Sequence, residues 1–371
     1  MTPTGPAASF ATRRGAVAEA LVAAGARSML VTDPRNIAYL TGFRGSGGAV
    51  LLSDDGEAVL CTDSRYELQI VEQAPDVGHV ISREYVAGVL GRRREPADAP
   101  LAVEADHLTL AAAAALRDAL TEVGSGGAPV VETRGLVEGV RRVKDAGELD
   151  LITRSCRVLD EAWTHVLTTG LVAAGRSERE VAADLEHAMR HAGSEGTAFD
   201  TIVASGPNGA LPHHEPGDRL LADGDLVVVD FGATVGGYAS DCTRTVALGA
   251  ASDRLIEAYD VVLRAQLAGL GAVRPGLPCA ELDAVSREVI AAAGLGDHFG
   301  HSLGHGVGLD VHEAPAVSAR STSTLTDGDV ITVEPGVYLP GLGGIRIEDT
   351  VAVTSGGGRA LTTTSKALAV L

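Results

Sequence analysis

Asp223-Gly224-Asp225-Leu226-Val227-Val228-Val229-Asp230-Phe231-Gly232 has a counterpart later in the chain, Asp327-Gly328-Asp329-Val330-Ile331-Thr332-Val333-Glu334-Pro335-Gly336. In each copy an Asp-Gly-Asp turn feeds an apolar strand that ends in a carboxylate and a glycine turn. A second acid-bearing strand follows each copy: Asp241 opens Asp241-Cys242-Thr243-Arg244-Thr245-Val246, and Glu348 opens Glu348-Asp349-Thr350-Val351. A histidine loop precedes each copy, His213-His214-Glu215-Pro216 and His312-Glu313-Ala314-Pro315, and so does a pair of helical segments. The simplest geometry is two similar halves related by a pseudo-twofold axis, with Asp230, Asp241, Glu334 and Glu348 facing one another.

Leu226–Val229 and Val330–Val333 are apolar enough to be strands buried on both faces, which puts the acids at their ends in a poorly hydrated place. A buried, unpaired carboxylate costs several kcal/mol or takes up a proton. The four motifs contain no lysine, and Arg346 supplies one positive charge. Four carboxylates balance two divalent cations. Gly304-His305-Gly306 supplies the fifth donor, its glycines allowing close backbone approach. One nitrogen among oxygen donors suits manganese, cobalt, iron or zinc. Two such ions ~3.5–4 Å apart turn a bridging water into hydroxide, which attacks a polarised carbonyl. Strand alternation places Arg346, Glu348 and Thr350 on one face, so Arg346 is expected to orient Glu348. The same alternation turns Cys242 away from Asp241 and into packing.

Outward from this region, Glu178–His191 reads as a helix capped by Ser177. The run through Thr168 repeats Leu149, Ile152, Cys156, Leu159 and Trp163 at helical spacing. Arg254–Ala268 and Ala280–Ala292 form the second helix pair. Residues before Arg141–Asp145 read as an α/β domain, with helices over Ala11–Ala24, Asp63–Gln73 and Leu108–Leu120 and strands over Ser28–Thr32, Gly48–Ser53 and Glu57–Cys61. The boundary is set at residue 143, giving domains 1–143 and 144–371. The fold class is α+β. The glycine-rich stretch 42–48 lacks the phosphate-loop lysine and reads as a turn. Gly300-His301-Ser302-Leu303-Gly304 matches a nucleophile elbow in letters only, since no strand leads into the serine. No H-E-x-x-H occurs.

The net charge of −19, from 49 acids against 30 bases, argues against nucleic acid as a partner. No apolar run is long enough to span a bilayer. The first fifteen residues show no secretory signal, and four scattered cysteines fit a reduced, cytoplasmic protein.

Asn36-Ile37-Ala38-Tyr39-Leu40-Thr41-Gly42-Phe43, Thr62-Asp63-Ser64-Arg65-Tyr66, Arg142-Val143-Lys144-Asp145 with Glu148, and Ile202–Asn208 followed by His213 all resemble one family. Together with the acid motifs they resemble the pita-bread metallopeptidases of the Xaa-Pro aminopeptidase and prolidase group. The resemblance implies a creatinase-like N-terminal domain followed by a pseudo-twofold pita-bread catalytic domain. It implies two divalent ions, manganese first, held by Asp230, Asp241, His305, Glu334 and Glu348. Asp241 and Glu348 would bridge the ions, and Glu334 would also shuttle a proton. His213, His301 and His312 would hold the peptide, and a homodimer is implied. The expected activity is removal of the first residue from Xaa-Pro peptides, as in aminopeptidase P. The alternatives are prolidase action on Xaa-Pro dipeptides, an aminopeptidase without proline preference, and a catalytically silent peptide-binding module.

Overall fold

The structure, a computed structural model, describes residues 9–371. Residues 1–8, part of the stretch read for a secretory signal, lie outside it. Two compact units meet in sequence between Arg141 and Arg142.

The N-terminal unit is built on a six-stranded sheet in the order Gly78–Ile81, Ala58–Thr62, Ala49–Ser53, Ser28–Val31, Leu101–Glu104, Val130–Thr133. Ser28–Val31 runs parallel to Leu101–Glu104 and antiparallel to Ala49–Ser53. Helix Phe10–Ala23 starts where the Ser9 side chain accepts from the Thr12 amide, as an N-cap does. The expected helix over Asp63–Gln73 is divided into a 3-10 turn, Ser64–Tyr66, and a helix, Glu67–Gln73. The Asp63 side chain caps that turn and binds the Arg65 guanidinium, and the interruption falls at Tyr66, whose φ of −112° and ψ of 11° are not helical. Leu101–Glu104 and Val130–Thr133 carry only four residues each, too short for sequence periodicity to reveal.

The C-terminal unit has the two-half architecture. In the first half, strand Leu226–Phe231 lies between Ile202–Ser205 and Cys242–Ala247, antiparallel to both. In the second half, Val330–Val333 lies between Gly304–Gly306 and Asp349–Thr354, again antiparallel to both. Helices Ala146–Thr168 and Glu178–His191 share a core with the first sheet. Asp253–Ala272 and Cys279–Ala292 share one with the second. Gly224 and Gly328 both sit at positive φ, which a side chain would strain. Asp225 accepts from the Ala222 amide and pairs with Arg219, while Asp329 accepts from the Thr326 amide and pairs with Arg142. The repeat in the sequence is therefore a repeat in hydrogen bonding.

The halves join along Cys242–Ala247. Thr245 Oγ1 donates to the Arg346 carbonyl at 2.9 Å, and the Glu348 amide donates to the Thr243 carbonyl at 3.2 Å. Period-two alternation sends Asp241, Thr243 and Thr245 to one side. On the other side Arg244 is buried against Asp349, and Cys242 packs in the first-half core. No described helix is long and apolar enough to cross a membrane.

Candidate metal centre

Asp230 is the fifth residue of strand Leu226–Phe231, and Asp241 lies immediately before Cys242–Ala247. Glu334 follows Val330–Val333, and Glu348 lies between strands Gly343–Arg346 and Asp349–Thr354. His305 is the middle residue of Gly304–Gly306. A side chain at Gly304 would lie 2.2 Å from the Thr332 carbonyl oxygen, and one at Gly306 would lie 2.2 Å from that of Ala314. Glycine on both sides is what lets His305 come this close. All five residues line one cavity of about 490 Å³, together with His213, His301, His312 and Arg346.

His305 Nε2 stands 3.3 Å from Glu334 Oε1 and 3.6 Å from Asp241 Oδ2. Donor atoms of Asp241, His305 and Glu348 lie within 4.8 Å of one another. His305 Nδ1 is 3.0 Å from the Gly306 carbonyl oxygen. That contact requires the proton on Nδ1; Nε2, which faces the acids, carries a proton toward Glu334 when no metal is bound and would present its lone pair to a bound ion, the arrangement of a metal-ligating histidine. Thr243 Oγ1 donates to Glu348 Oε2 at 2.6 Å, and Thr332 Oγ1 donates to Glu334 Oε1 at 3.0 Å.

Burial raises the proton affinity of Asp241 well above the carboxylate range, and the charges of Glu348, Asp230 and Glu334 add to it. Burial, then Glu334 and Asp230, does the same to Glu348. Burial pushes Glu334 upward too, but the His305 hydrogen bond and the charges of His305, His301 and Arg346 outweigh it and hold Glu334 low. His305 is the reverse: burial disfavours its cation, and Glu334 overcomes that and raises it.

Divalent metal fits this group of side chains. Asp230 Oδ1 and Glu348 Oε1 are buried without a hydrogen-bond partner. Such oxygens cost about 1–3 kcal/mol each unless something fills their lone pairs. A cation would satisfy them and remove the repulsion between the acids.

Arg346 departs from its expected role. Its Nη2 meets Asp230 Oδ2 at 2.5 Å, and its Nε donates to Thr243 Oγ1 at 3.0 Å, so it reaches Glu348 only through that hydroxyl. Arg346 and Glu348 still face the same cavity, although the strand between them is broken. Gly343–Arg346 pairs with Gly336–Leu339, whereas Asp349–Thr354 pairs with Val330–Val333, and Ile347-Glu348 crosses between the two ladders.

Sequence reasoning missed three supporting residues. Tyr338 accepts from Arg346 Nη1 at 2.9 Å, and its hydroxyl lies 2.9 Å from His301 Nε2. Its single proton therefore goes to Nε2, and His301 keeps its own proton on Nδ1, donated to the Ser302 carbonyl. Burial likewise favours the neutral imidazole at His301. Lys144 forms a buried ion pair with Glu313, beside His312. Glu178 is fully buried and accepts from His214, the neighbour of His213. Tyr338 had no periodic signal, and Glu178 had the look of an ordinary first-turn acid. His213 lines the cavity from an exposed position, and the His312 ring contacts His305 at 4.3 Å between centroids.

Residues 150–355 match Metallopeptidase family M24, and residues 13–143 match the Creatinase/Prolidase N-terminal domain. The Xaa-Pro dipeptidase of Pyrococcus furiosus is 36% identical over 344 residues, 92% of this chain and 94% of its own. An Xaa-Pro dipeptidase from Bacillus anthracis has a similar structure, with TM-score 0.93, 38% identity, and coverage of 98% and 100% of the two chains. The X-Pro aminopeptidase from Thermotoga maritima gives TM-score 0.86 at 37% identity, covering 95% and 99%.

Proposed function

This chain belongs to metallopeptidase family M24, and from that premise we propose that it hydrolyses Xaa-Pro bonds, with dipeptides as its preferred substrates. One observation carries the chemistry: five metal-compatible side chains line one cavity, and two of their buried oxygens lack partners. The preference for Xaa-Pro rests on the relatives. The sequence reading put aminopeptidase P first; the Xaa-Pro dipeptidases of Pyrococcus furiosus and Bacillus anthracis, similar along nearly the whole chain, favour the prolidase alternative. Aminopeptidase action on longer peptides is the second reading, supported by the Thermotoga maritima structure.

In this reading Asp230, Asp241, His305, Glu334 and Glu348 hold two divalent ions, manganese first. When bound, the ions would polarise the scissile carbonyl and lower the pKa of a water to near neutrality. Glu334, as a carboxylate, would take the proton of the attacking water as the water oxygen adds to the scissile carbonyl carbon. It then passes the proton to the prolyl nitrogen as the C–N bond breaks. Thr332 and His305 both engage Glu334 Oε1, so the carboxylate keeps one orientation during transfer. His213, His301 and His312 surround the peptide, His301 in the tautomer that Tyr338 imposes. A prolyl nitrogen carries no N–H, so the cavity wall must accept the ring without asking for that donor. A silent binding module would have no use for such a donor set. A homodimer and a cytoplasmic setting complete the reading, the latter supported by four buried free cysteines.

The test is a substrate panel with Mn- or Co-loaded protein: Gly-Pro, Ala-Pro, Ala-Ala and Ala-Pro-Yaa. Ala-Pro should be cleaved fastest. Equal rates on Ala-Ala would remove the proline preference, and faster cleavage of Ala-Pro-Yaa would restore the aminopeptidase reading.

A further inference from the structure

Glu178 is the first residue of helix Glu178–His191, where an acid ordinarily faces water, yet its carboxylate is fully buried. Among the described residues, no lysine or arginine forms an ion pair with it. Its Oε1 accepts from the Ser205 amide at 2.8 Å, from Ser205 Oγ at 2.7 Å and from Asn208 Nδ2 at 3.1 Å. Its Oε2 takes His214 Nε2 at 2.7 Å and the Gly217 amide at 3.3 Å. The backbone repeats the attachment: the Glu178 amide donates to the Arg219 carbonyl, and the Arg179 amide to that of Gly217. A buried charge is tolerated only when its lone pairs are filled, and here five donors plus the helix N-terminus do so. These donors outweigh the upward push of burial and hold Glu178 below the usual carboxylate range.

Every one of those donors belongs to a single segment, residues 205–219. Both limbs of that loop are tied to one carboxylate, and between them Pro212 to Pro216 form a wall of the metal cavity. On the cavity side, Arg346 Nη1 donates to the Pro212 carbonyl at 3.2 Å. The loop is thus held from behind by Glu178 and from the front by the arginine that binds Asp230. His213 and His214 both line the cavity, and His214 also reaches back to Glu178.

We propose that Glu178, acting through His214, is a positioning residue that fixes the 205–219 loop and so presents His213 and the wall from Pro212 to Pro216 to the peptide. The proposal rests on the Xaa-Pro reading above for its kinetic consequences, and on the loop itself for its structural ones. Preorganisation of this kind matters because a misplacement of about 1 Å can cost roughly a hundredfold in rate.

The test compares metal-loaded wild type with Glu178→Gln, Glu178→Asp, His214→Gln and the Glu178→Gln/His214→Gln double variant. The glutamine keeps the shape but turns one acceptor into a donor facing donors. We expect kcat/KM on Ala-Pro to fall at least tenfold in Glu178→Gln, mostly in kcat, with metal content unchanged. The ratio of Ala-Pro to Ala-Ala cleavage should narrow, which a mere loss of folded enzyme would not produce because it scales both rates alike. Glu178→Asp should fall between, and it carries the test if Glu178→Gln does not fold. The double variant should match Glu178→Gln within about twofold, because residues acting through one contact are not additive. Amide hydrogen exchange of residues 205–219 should quicken in the variants, a readout that survives even if no peptide tried is a substrate. Wild-type kinetics, multiplicative losses in the double variant, or unchanged loop exchange would each overturn the proposal.

Discussion

Thr243 Oγ1 lies 2.6 Å from Glu348 Oε2, so a hydroxyl from the first half of the C-terminal unit orients an acid of the second. Thr350 returns the contact, its hydroxyl donating to the Asp241 carbonyl at 2.8 Å. The acids are held by exchange across the seam. Thr243→Val keeps the shape and removes the donor, leaving a buried carboxylate with no hydroxyl. Metal affinity should fall roughly tenfold to a hundredfold, as for other residues supporting metal ligands. Titration of metal-stripped protein with Mn checks this, and Thr243→Ser should restore binding.

Tyr338 transmits the position of Arg346 to His301 through two contacts of 2.9 Å. Tyr338→Phe leaves Arg346 without one acceptor and His301 without its donor. A lost hydrogen bond to a charged group is worth about 1.5–3 kcal/mol, so kcat on Ala-Pro should fall about tenfold to a hundredfold. Metal content measured on the same sample should equal that of wild type.

Glu334→Gln preserves size and removes the base. Turnover should fall at least a hundredfold, within the usual contribution of a general acid–base group. A near-normal rate would reject the proton-transfer role.

Glu178 makes a pH prediction away from the metal donors. Its folded-state proton affinity lies below the usual range, so the unfolded chain binds its proton more readily. The stability it contributes is fully present above the unfolded value of about 4.3 and is lost as pH falls through the lower folded value. Denaturant unfolding at successive pH values should show wild type more stable than Glu178→Gln by about 1–3 kcal/mol near neutrality. The gap should close as pH falls below about 4.3.

The parts of the site legible in sequence were those written twice. The Asp-Gly-Asp turns, the apolar strands and the acids after them repeat, and repetition gave Asp230, Asp241, Glu334 and Glu348 a common meaning that no single motif has. His305 was legible because glycines flank it. The supporting residues were not, since each depends on a pairing between distant segments. Thr243 meets Glu348 across 105 positions, and Glu178 meets His214 across 36. Alternation placed Arg346 and Glu348 on one face, but it could not show that Arg346 would reach Glu348 only through Thr243, a hydroxyl from a distant strand. In the N-terminal unit, Asp63 caps a 3-10 turn ahead of the helix Glu67–Gln73, a local hydrogen-bond choice that composition does not register.

The most direct test of the central claim is the stoichiometry of divalent-metal binding to chelator-stripped protein, measured by Mn titration and elemental analysis in wild type and Asp241→Asn. Wild type should bind two ions per chain and gain thermal stability as they bind, because ligands that bind only the folded state stabilise it. Asp241→Asn, which removes an acid predicted to bridge, should weaken both sites together. Binding of no metal, or binding that Asp241→Asn leaves unchanged, would contradict the account.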